Sequence, residues 1–177
     1  MNFSLEKSLE ILERTPTAYK ELLYGVSDEW SMQNEGQKGD EKTWSPYDIL
    51  GHLIHGETTD WIERIEIILS DKPEKNFRLF DRFAQFEESK EKSLKDLLGE
   101  FMMLRIMNLE KLKAKNITEA DLDKKGIHPS FGEITLRQLL STWVVHDLNH
   151  LAQVTRVMAY QYKDNVGPWK EYLRILK

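Results

Sequence analysis

Two histidines four residues apart, His146 and His150, stand in the stretch TWVVHDLNHLAQVTRVMAYQY, residues 142–162. Four residues is about one turn of an α-helix, so both imidazoles leave the same face of the helix that this stretch predicts. Neutral imidazole is a good ligand for divalent metals, and a helix presets both rings. The same spacing also suits two core histidines that bond to water or to neighbouring side chains. The pair alone does not decide between these interpretations.

A metal site of useful affinity needs a third ligand from another helix. The stretch GHLIHGETTDW supplies three candidates: His52, His55 and Glu57. On a helical wheel of about 100° per residue, Glu57 falls in the middle of the most apolar side. A carboxylate there needs a cation, a hydrogen-bond donor or a proton. Periodicity therefore prefers Glu57 and does not choose between the two histidines.

The elements that carry these residues are predicted to be long helices. Ser45 suits the N-cap of a helix that we expect to run to about Leu69. A further helix is predicted over Ser93–Lys115. Thr135 and Gln138 form the T-x-x-Q pattern of a capping box, which places the start of the last long helix just before the histidine pair.

Turn-forming residues separate these helices. Thr15 is expected to cap a helix whose first residue is Pro16, which would interrupt the first helical region. The stretch GIHPSFGEI is predicted to be a loop, and its His128 to be part of a turn that could border a site at the end of the bundle.

An irregular segment between the second and third long helices carries a phenylalanine at every third residue: Phe77, Phe80, Phe83 and Phe86. These rings could cover a pocket and select an apolar substrate. They could equally pack a short irregular segment on the bundle.

Long helices without convincing alternating strands indicate an all-α protein, a four-helix bundle. The stretch KEYLRIL adds a short C-terminal helical piece. No linker, repeat or low-complexity segment divides the chain, so residues 1–177 are predicted to be a single domain.

The composition narrows the classes of function. Hydrophobic residues make up 40% and charged residues 31% of the chain, as in globular proteins, and the net charge of -5 argues against a nucleic-acid surface. The absence of cysteine excludes disulfides and thiolate ligands, and it fits a reducing compartment. The charged N-terminus predicts neither a signal peptide nor a membrane span. We therefore expect a cytoplasmic protein without a membrane partner.

The stretch WSPYDILGHLIHGE resembles the first signature of the DinB-like superfamily, which consists of metal-binding four-helix bundles. The later stretch, in which HDLNH is followed three residues on by Gln153, resembles the second signature. The resemblance implies three metal ligands, His52, His146 and His150, and makes His55 a neighbour. We follow the family for His52 and keep Glu57 as a carboxylate that orients a ligand or relays a proton.

The resemblance also implies a divalent cofactor, nickel or zinc, with open positions. Characterised members transfer low-molecular-weight thiols such as bacillithiol, and the family commonly forms homodimers. The resemblance therefore favours transfer of such a thiol to an electrophilic small molecule, with Glu57 in the catalytic role. One alternative is hydrolysis by a metal-bound water with Glu57 or His55 as the base. Another is a bundle that binds a metal or small ligand without catalysis.

Overall fold

The computed structural model describes residues 2–38 and 41–177. Within these ranges the chain forms the following α-helices: α1 Leu5–Leu12, α2 Thr15–Leu23, α3 Asp28–Met32, α4 Pro46–Thr59, α5 Trp61–Leu69, α6 Ala84–Ser89, α7 Leu94–Ala114 and α8 Leu136–Tyr160. Short strands form two antiparallel pairs: β1 Gln37–Lys38 with β2 Glu41–Lys42, and β3 Lys125–His128 with β4 Gly132–Thr135. Short 3-10 helices cover Glu119–Asp123, Gly167–Glu171 and Arg174–Leu176.

The architecture is a four-helix bundle, as predicted. Its four rods are α1 with α2, α4 with α5, α7, and α8, and they pack on one another along their apolar faces. In the described residues, none of the helices combines the length and the apolar character that crossing a bilayer requires.

The apolar interior is divided into two clusters. The first includes Leu12, Trp61, Leu109 and Trp143, and the second includes Tyr19, Ile54, Phe101 and Val154. On every rod, residues of the first cluster and residues of the second are separated by a buried polar side chain: Thr15, Glu57, Arg105 and Asp147. A buried polar layer therefore crosses the bundle between its two apolar cores.

The cap signals predicted at Ser45 and Thr135 are confirmed, and Ser93, where the third long helix was predicted to begin, is also a cap. Ser45, Ser93 and Thr135 each occupy an N-cap and accept a hydrogen bond from the backbone N–H three residues on. Each of these caps is a reciprocal capping box, which satisfies backbone donors that the first turn leaves free.

The predicted second helix is interrupted, and this expectation was wrong. A break at Asp60, with φ -119° and ψ -68°, separates α4 from α5. Thr15 is not an N-cap either, because α2 is preceded by Arg14 in helical conformation and the Thr15 side chain turns into the buried polar layer. Thr15 bonds Asp147, which lies 132 residues away, so the local sequence does not show this partner.

The stretch predicted as a loop around His128 is the hairpin of β3 and β4. Gly132 has a φ of +71°, a conformation that glycine adopts without a steric penalty, and this permits the tight return of the chain. The backbone of the phenylalanine segment also joins this hairpin, since the Phe77 N–H donates to the Ile127 carbonyl at 2.9 Å. The hairpin therefore closes one side of the bundle next to α5 and α8.

Candidate metal centre

His52 on α4 and His146 and His150 on α8 lie together in the interior of the bundle. The Nε2 atom of His146 lies 3.1 Å from Nε2 of His52 and 3.2 Å from Nε2 of His150. The three candidate ligand atoms all lie within 4.8 Å of one another. The structure thus brings together the three histidines that the sequence predicted as ligands.

The donor set fits a divalent metal such as zinc or nickel. Three imidazole nitrogens at about 2.0–2.1 Å from a tetrahedral ion would be separated by roughly 3.3 Å. The observed separations of 3.1 and 3.2 Å are close to that value. Three protein ligands would also leave a coordination position for a small molecule.

Hydrogen bonding fixes the tautomer of one ligand. The Nδ1 atom of His150 lies 2.8 Å from the side-chain oxygen of Gln153, so that Nδ1–H donates and Nε2 keeps its lone pair for the centre. The Nδ1 atoms of His52 and His146 are buried and have no hydrogen-bond partner among the described residues. Their polar contacts are therefore all made at Nε2, on the side where the three rings converge.

Aromatic packing orients the two rings that lack a partner at Nδ1. Trp44 and Phe80 contact the His52 ring at centroid distances of 5.0 and 5.4 Å, and Trp61 contacts the His146 ring at 5.2 Å. These contacts also remove water from the imidazoles. Apolar surroundings favour the neutral form of an imidazole, because burial penalises the charged form.

The pKa values of all three histidines are lowered. Burial is the main cause, and it brings the pKa of His52 to about 3 and that of His146 to about 2, with a further contribution from the neighbouring histidines. Burial also lowers the pKa of His150. The three rings are therefore neutral at pH 7, which is the protonation state that a metal requires.

Glu57 lies in the buried polar layer and belongs to a charge cluster around Arg105. Its Oε1 accepts from Nε and Nη2 of Arg105 at 3.1 and 2.7 Å and from the Trp143 indole at 3.2 Å. Its Oε2 accepts from the Asn108 amide at 2.9 Å. The cation and donors that a carboxylate on this apolar face needs are thus supplied by α7 and α8.

No hydrogen bond of Glu57 in the described part of the chain reaches one of the three histidines. Glu57 therefore does not orient a histidine through a hydrogen bond, and the catalytic role expected of it stays a prediction. Ring packing links Glu57 to the centre, because its partner Trp143 stacks on Trp61 at 5.4 Å and Trp61 contacts His146. The geometry favours a role in positioning α8.

His55 lies one turn beyond His52 and outside the cluster. It is buried, and its Nδ1 atom lies 2.8 Å from Oε2 of Glu88, with Phe80 against its ring at 5.0 Å. The helical wheel did not separate the two histidines of α4. The difference between them arises from which neighbouring element each one faces.

A pocket of about 300 Å³ opens beside the histidine cluster. His52 and His146 form part of its wall, and most of the rest is apolar or aromatic, including Trp61, Phe80, Phe131, Ile134 and Leu139. His128 of the hairpin also lines it, stacked on Phe131 at 4.4 Å. The pocket can therefore hold a small molecule with one end at the candidate centre.

The phenylalanine segment contributes both to covering the pocket and to packing on the bundle. Phe80 lines the pocket and packs on two histidines, whereas Phe77 is buried in the first apolar cluster. Phe83 and Phe86 stack on each other at 6.4 Å and remain partly exposed. One ring in the segment thus covers the pocket.

Sequence reasoning missed an ion pair in the pocket wall. Asp60 and Arg64 both line the pocket, are both buried, and approach to 2.5 Å between Oδ1 and Nε. Their spacing of four residues on a predicted helix was a signal that could have been used. Burial raises the pKa of Asp60 to about 6, although Arg64 acts in the opposite direction.

Two comparisons with known proteins bear on this arrangement. A model of the DinB superfamily matches residues 11–154. A solved structure from Bacillus subtilis, YfiT, has 21% sequence identity and a TM-score of 0.71 over 94% of this chain and 91% of that chain, and it is described as "a probable metal-dependent hydrolase with an unusual four-helix bundle topology". At this identity the likeness shows the fold. No curated protein is similar enough to this chain to count as a relative.

Proposed function

This chain belongs to the DinB superfamily, and on that basis we propose that it is an enzyme whose divalent metal is held by His52, His146 and His150. The observation that carries the proposal is the convergence of the Nε2 atoms of three histidines beside a pocket. A structural role for the metal is less well supported, because a closed site would have a fourth protein ligand.

We propose transfer of a low-molecular-weight thiol to an electrophilic carbon: the sulfur forms a bond to that carbon, the bond from the carbon to its leaving group breaks with both electrons going to the leaving group, and the thiol proton passes to the leaving group or to solvent. The metal would supply a lowered pKa for a thiol bound to it. The three histidines are neutral, so none of these ligands competes with the bound thiolate for the positive charge of the metal. Phe80 and Trp61 exclude water, and the apolar pocket receives the electrophile. The chain has no cysteine, so the sulfur must come from the cosubstrate.

The positions of the expected bases favour this reaction over hydrolysis. Water requires a stronger base than a thiol does, and both expected bases are engaged elsewhere, Glu57 by Arg105 and His55 by Glu88. Hydrolysis remains the second candidate because Asp60 lies in the pocket wall with its pKa raised to about 6, a suitable value for a general base. The description of YfiT as a probable hydrolase also supports it.

Metal content tests the centre. After extensive dialysis, elemental analysis of the wild-type protein should find close to one nickel or zinc ion per chain. His52→Ala and His150→Ala should lose the ion, because each removes one of three ligands. His55→Ala is the matched control on α4 and should retain it. A wild-type protein that holds no ion, and takes up none when nickel or zinc is added, would overturn the proposal.

Product analysis separates the two reactions. The metal-loaded protein is incubated with a carbon electrophile in the presence and absence of a low-molecular-weight thiol, and thioether and hydrolysis products are quantified. Thioether formation that is lost in His150→Ala supports transfer. Hydrolysis that needs no thiol and is lost in Asp60→Asn supports the second candidate instead.

The assembly and setting of the protein are proposed on the same basis. The exposed apolar residues of α7, Met103, Ile106 and Met107, offer a surface for a homodimer. Light scattering of the purified chain should give twice the mass of 20.9 kDa.

We also propose that the protein is a cytoplasmic enzyme that acts on a small molecule. Nucleic acid is not the proposed substrate, because the net charge of the chain is -5.

A further inference from the structure

The wall of the pocket contains a buried charged pair that the proposed centre does not use. Asp60 occupies the break between α4 and α5, and Arg64 follows one turn later. Both residues are 9% exposed, and both line the pocket that His52 and His146 also line. One wall therefore places a guanidinium in the same small cavity as the candidate metal ligands.

The guanidinium of Arg64 has donors to spare. Its Nε atom lies 2.5 Å from Asp60, and its Cζ atom lies 5.2 Å from the centre of the Phe77 ring. Its closest approach to Asp60 is thus at Nε, and among the described residues neither of its two terminal nitrogens makes a hydrogen bond. Arg105, which is more deeply buried at 1% exposed, uses both of its terminal nitrogens, at 2.6 Å to Asp147 and 2.7 Å to Glu57.

A buried guanidinium whose terminal edge is unused is suited to a planar anion. The two terminal N–H groups form a fork that matches the two oxygens of a carboxylate in a bidentate pair. Arg105 shows that one buried guanidinium in this fold accommodates two carboxylates. Arg64, which has one carboxylate already, therefore has room for a second from outside the chain.

We propose that Arg64 anchors the carboxylate of the substrate, which would be a small carboxylic acid with an apolar body. The carboxylate lies on the terminal edge of Arg64, and the carbon skeleton lies against Trp61 and Leu139. The reacting end then points to His52 and His146. The volume of about 300 Å³ restricts the substrate to small acids. This inference rests on the proposed function and names the substrate class for the same site.

The probe is phenylacetate, compared with its uncharged analogue phenylacetamide, and binding is measured by calorimetry on the full chain. Phenylacetate should bind the wild-type protein, and Arg64→Gln should weaken that binding at least 10-fold. Phenylacetamide should bind weakly and equally to both proteins. Arg78→Gln is the control, because Arg78 is an exposed arginine that pairs with Glu63 outside the pocket. It should leave phenylacetate binding unchanged.

Two further variants keep the test valid if Arg64→Gln leaves Asp60 unpaired and unfolds the chain. The double variant Asp60→Asn, Arg64→Gln removes both charges and should also lose phenylacetate binding. Arg64→Lys retains the charge without the fork and should bind several-fold more weakly than wild type. Normal phenylacetate binding by the folded double variant would overturn the inference.

Metal dependence distinguishes this inference from the proposed function. Binding is repeated on zinc-loaded protein and on protein dialysed against EDTA. The Arg64 effect should be present in both, since the carboxylate is held by the protein. Binding that needs zinc and ignores Arg64→Gln would place the carboxylate on the metal and overturn the inference while supporting the metal centre. If the wild-type protein took up no zinc at all and still showed the Arg64 effect, the proposed function would be overturned and the acid-binding pocket retained.

Discussion

Burial sets the protonation state of the three histidines of the candidate centre. Each imidazole loses water to the aromatic rings around it, and the charged form is penalised more than the neutral form. The lowered pKa values of His52, His146 and His150 keep their lone pairs available at neutral pH. As a consequence, the free energy of unfolding of the metal-free chain falls in acidic solution.

The penalty on protonated imidazole in the folded state predicts that the stability of the metal-free protein depends on pH. The pKa of His52 is about 3 in the folded state and about 6.5 in the unfolded state, so the unfolded state binds more protons between these values. The stabilising contribution is present above pH 6.5 and is lost as the pH falls toward 3. At pH 5 the loss from one such histidine is about 2 kcal/mol. Urea unfolding of EDTA-dialysed protein at pH 7 and pH 5 measures it.

The variant His52→Gln isolates this contribution from the carboxylates that titrate in the same range. Its stability should depend less on pH than that of the wild type, by about 2 kcal/mol between pH 7 and pH 5. Equal pH dependence in the two proteins would show that the ring is solvated in the folded state.

Gly51, next to His52, marks a close approach between two helices. A Cβ atom at this position would lie 2.6 Å from Oγ of Ser89 and 2.8 Å from Oε1 of Gln85, both on α6. Gly51→Ala should therefore destabilise the protein by about 1–3 kcal/mol, as overpacking does elsewhere. Gly99→Ala on α7 is the matched control, because nothing lies within 4 Å of its added Cβ.

The control should change stability in the opposite direction. Gly99 is exposed and lies within a helix, so alanine there should stabilise by about 0.5–1 kcal/mol. Thermal or urea unfolding of both variants measures the pair. If Gly51→Ala left the free energy of unfolding unchanged, α6 would be able to move away from α4 without an energetic penalty.

At the scale of the elements, Arg105 joins all four rods. It donates from α7 to the Leu12 carbonyl at the end of α1, to Thr15 on α2, to Glu57 on α4 and to Asp147 on α8. Burial alone would lower the pKa of Arg105, but the charges of Asp147 and Glu57 outweigh it and raise that pKa. The guanidinium is therefore charged and fixes the relative depth of the helices that carry the histidines.

Removing the charge of Arg105 should strongly lower the free energy of unfolding. Arg105→Met leaves two buried carboxylates without their cation, and breaking a buried ion pair in this way costs about 3–5 kcal/mol. Urea unfolding should show the loss. Lys113→Met is the control on the same helix, because its pair with Glu13 is exposed and should contribute far less. Similar losses in both variants would contradict the role given to the polar layer.

Elements were predictable from the sequence where local signals act alone. The starts of α4, α7 and α8 are encoded within four residues by capping boxes, and each was found. The break at Asp60 was missed because the apolar periodicity continues across it, although the spacing of Asp60 and Arg64 was visible in the sequence. The β3–β4 hairpin was missed because the four-residue strands are too short for an alternating pattern to be recognised.

The candidate site was predictable to the extent that its residues share one helix. The helical repeat placed His146 and His150 on one face, and the family resemblance was needed to make them candidate ligands. Choosing His52 over His55 required the family resemblance, because both are buried and only their neighbours differ. The role expected of Glu57 could not be judged from a wheel, since its partner Arg105 is 48 residues away in the sequence. Local periodicity carries no information about contacts between segments that are distant in the sequence.

At the scale of the whole molecule, the candidate centre connects α4 and α8, and the polar layer connects the same helices next to it. An ion held by His52, His146 and His150 would exist only in the folded state, because the unfolded chain separates His52 from the pair on α8. Binding that is confined to the folded state stabilises by about 2.7 kcal/mol when the free ligand is at 100 times its Kd.

This linkage predicts that metal raises the Tm of the bundle. For a domain of this size, about 2.7 kcal/mol corresponds to a rise of roughly 5–10 °C. Scanning calorimetry of EDTA-dialysed protein with increasing nickel or zinc should show a Tm that climbs with the logarithm of the metal concentration. His150→Gln should give a flat response, whereas His55→Gln should follow the wild type. If His150→Gln responded as the wild type does, the stabilising ion would be bound elsewhere, and the link between α4 and α8 would rest on the polar layer alone.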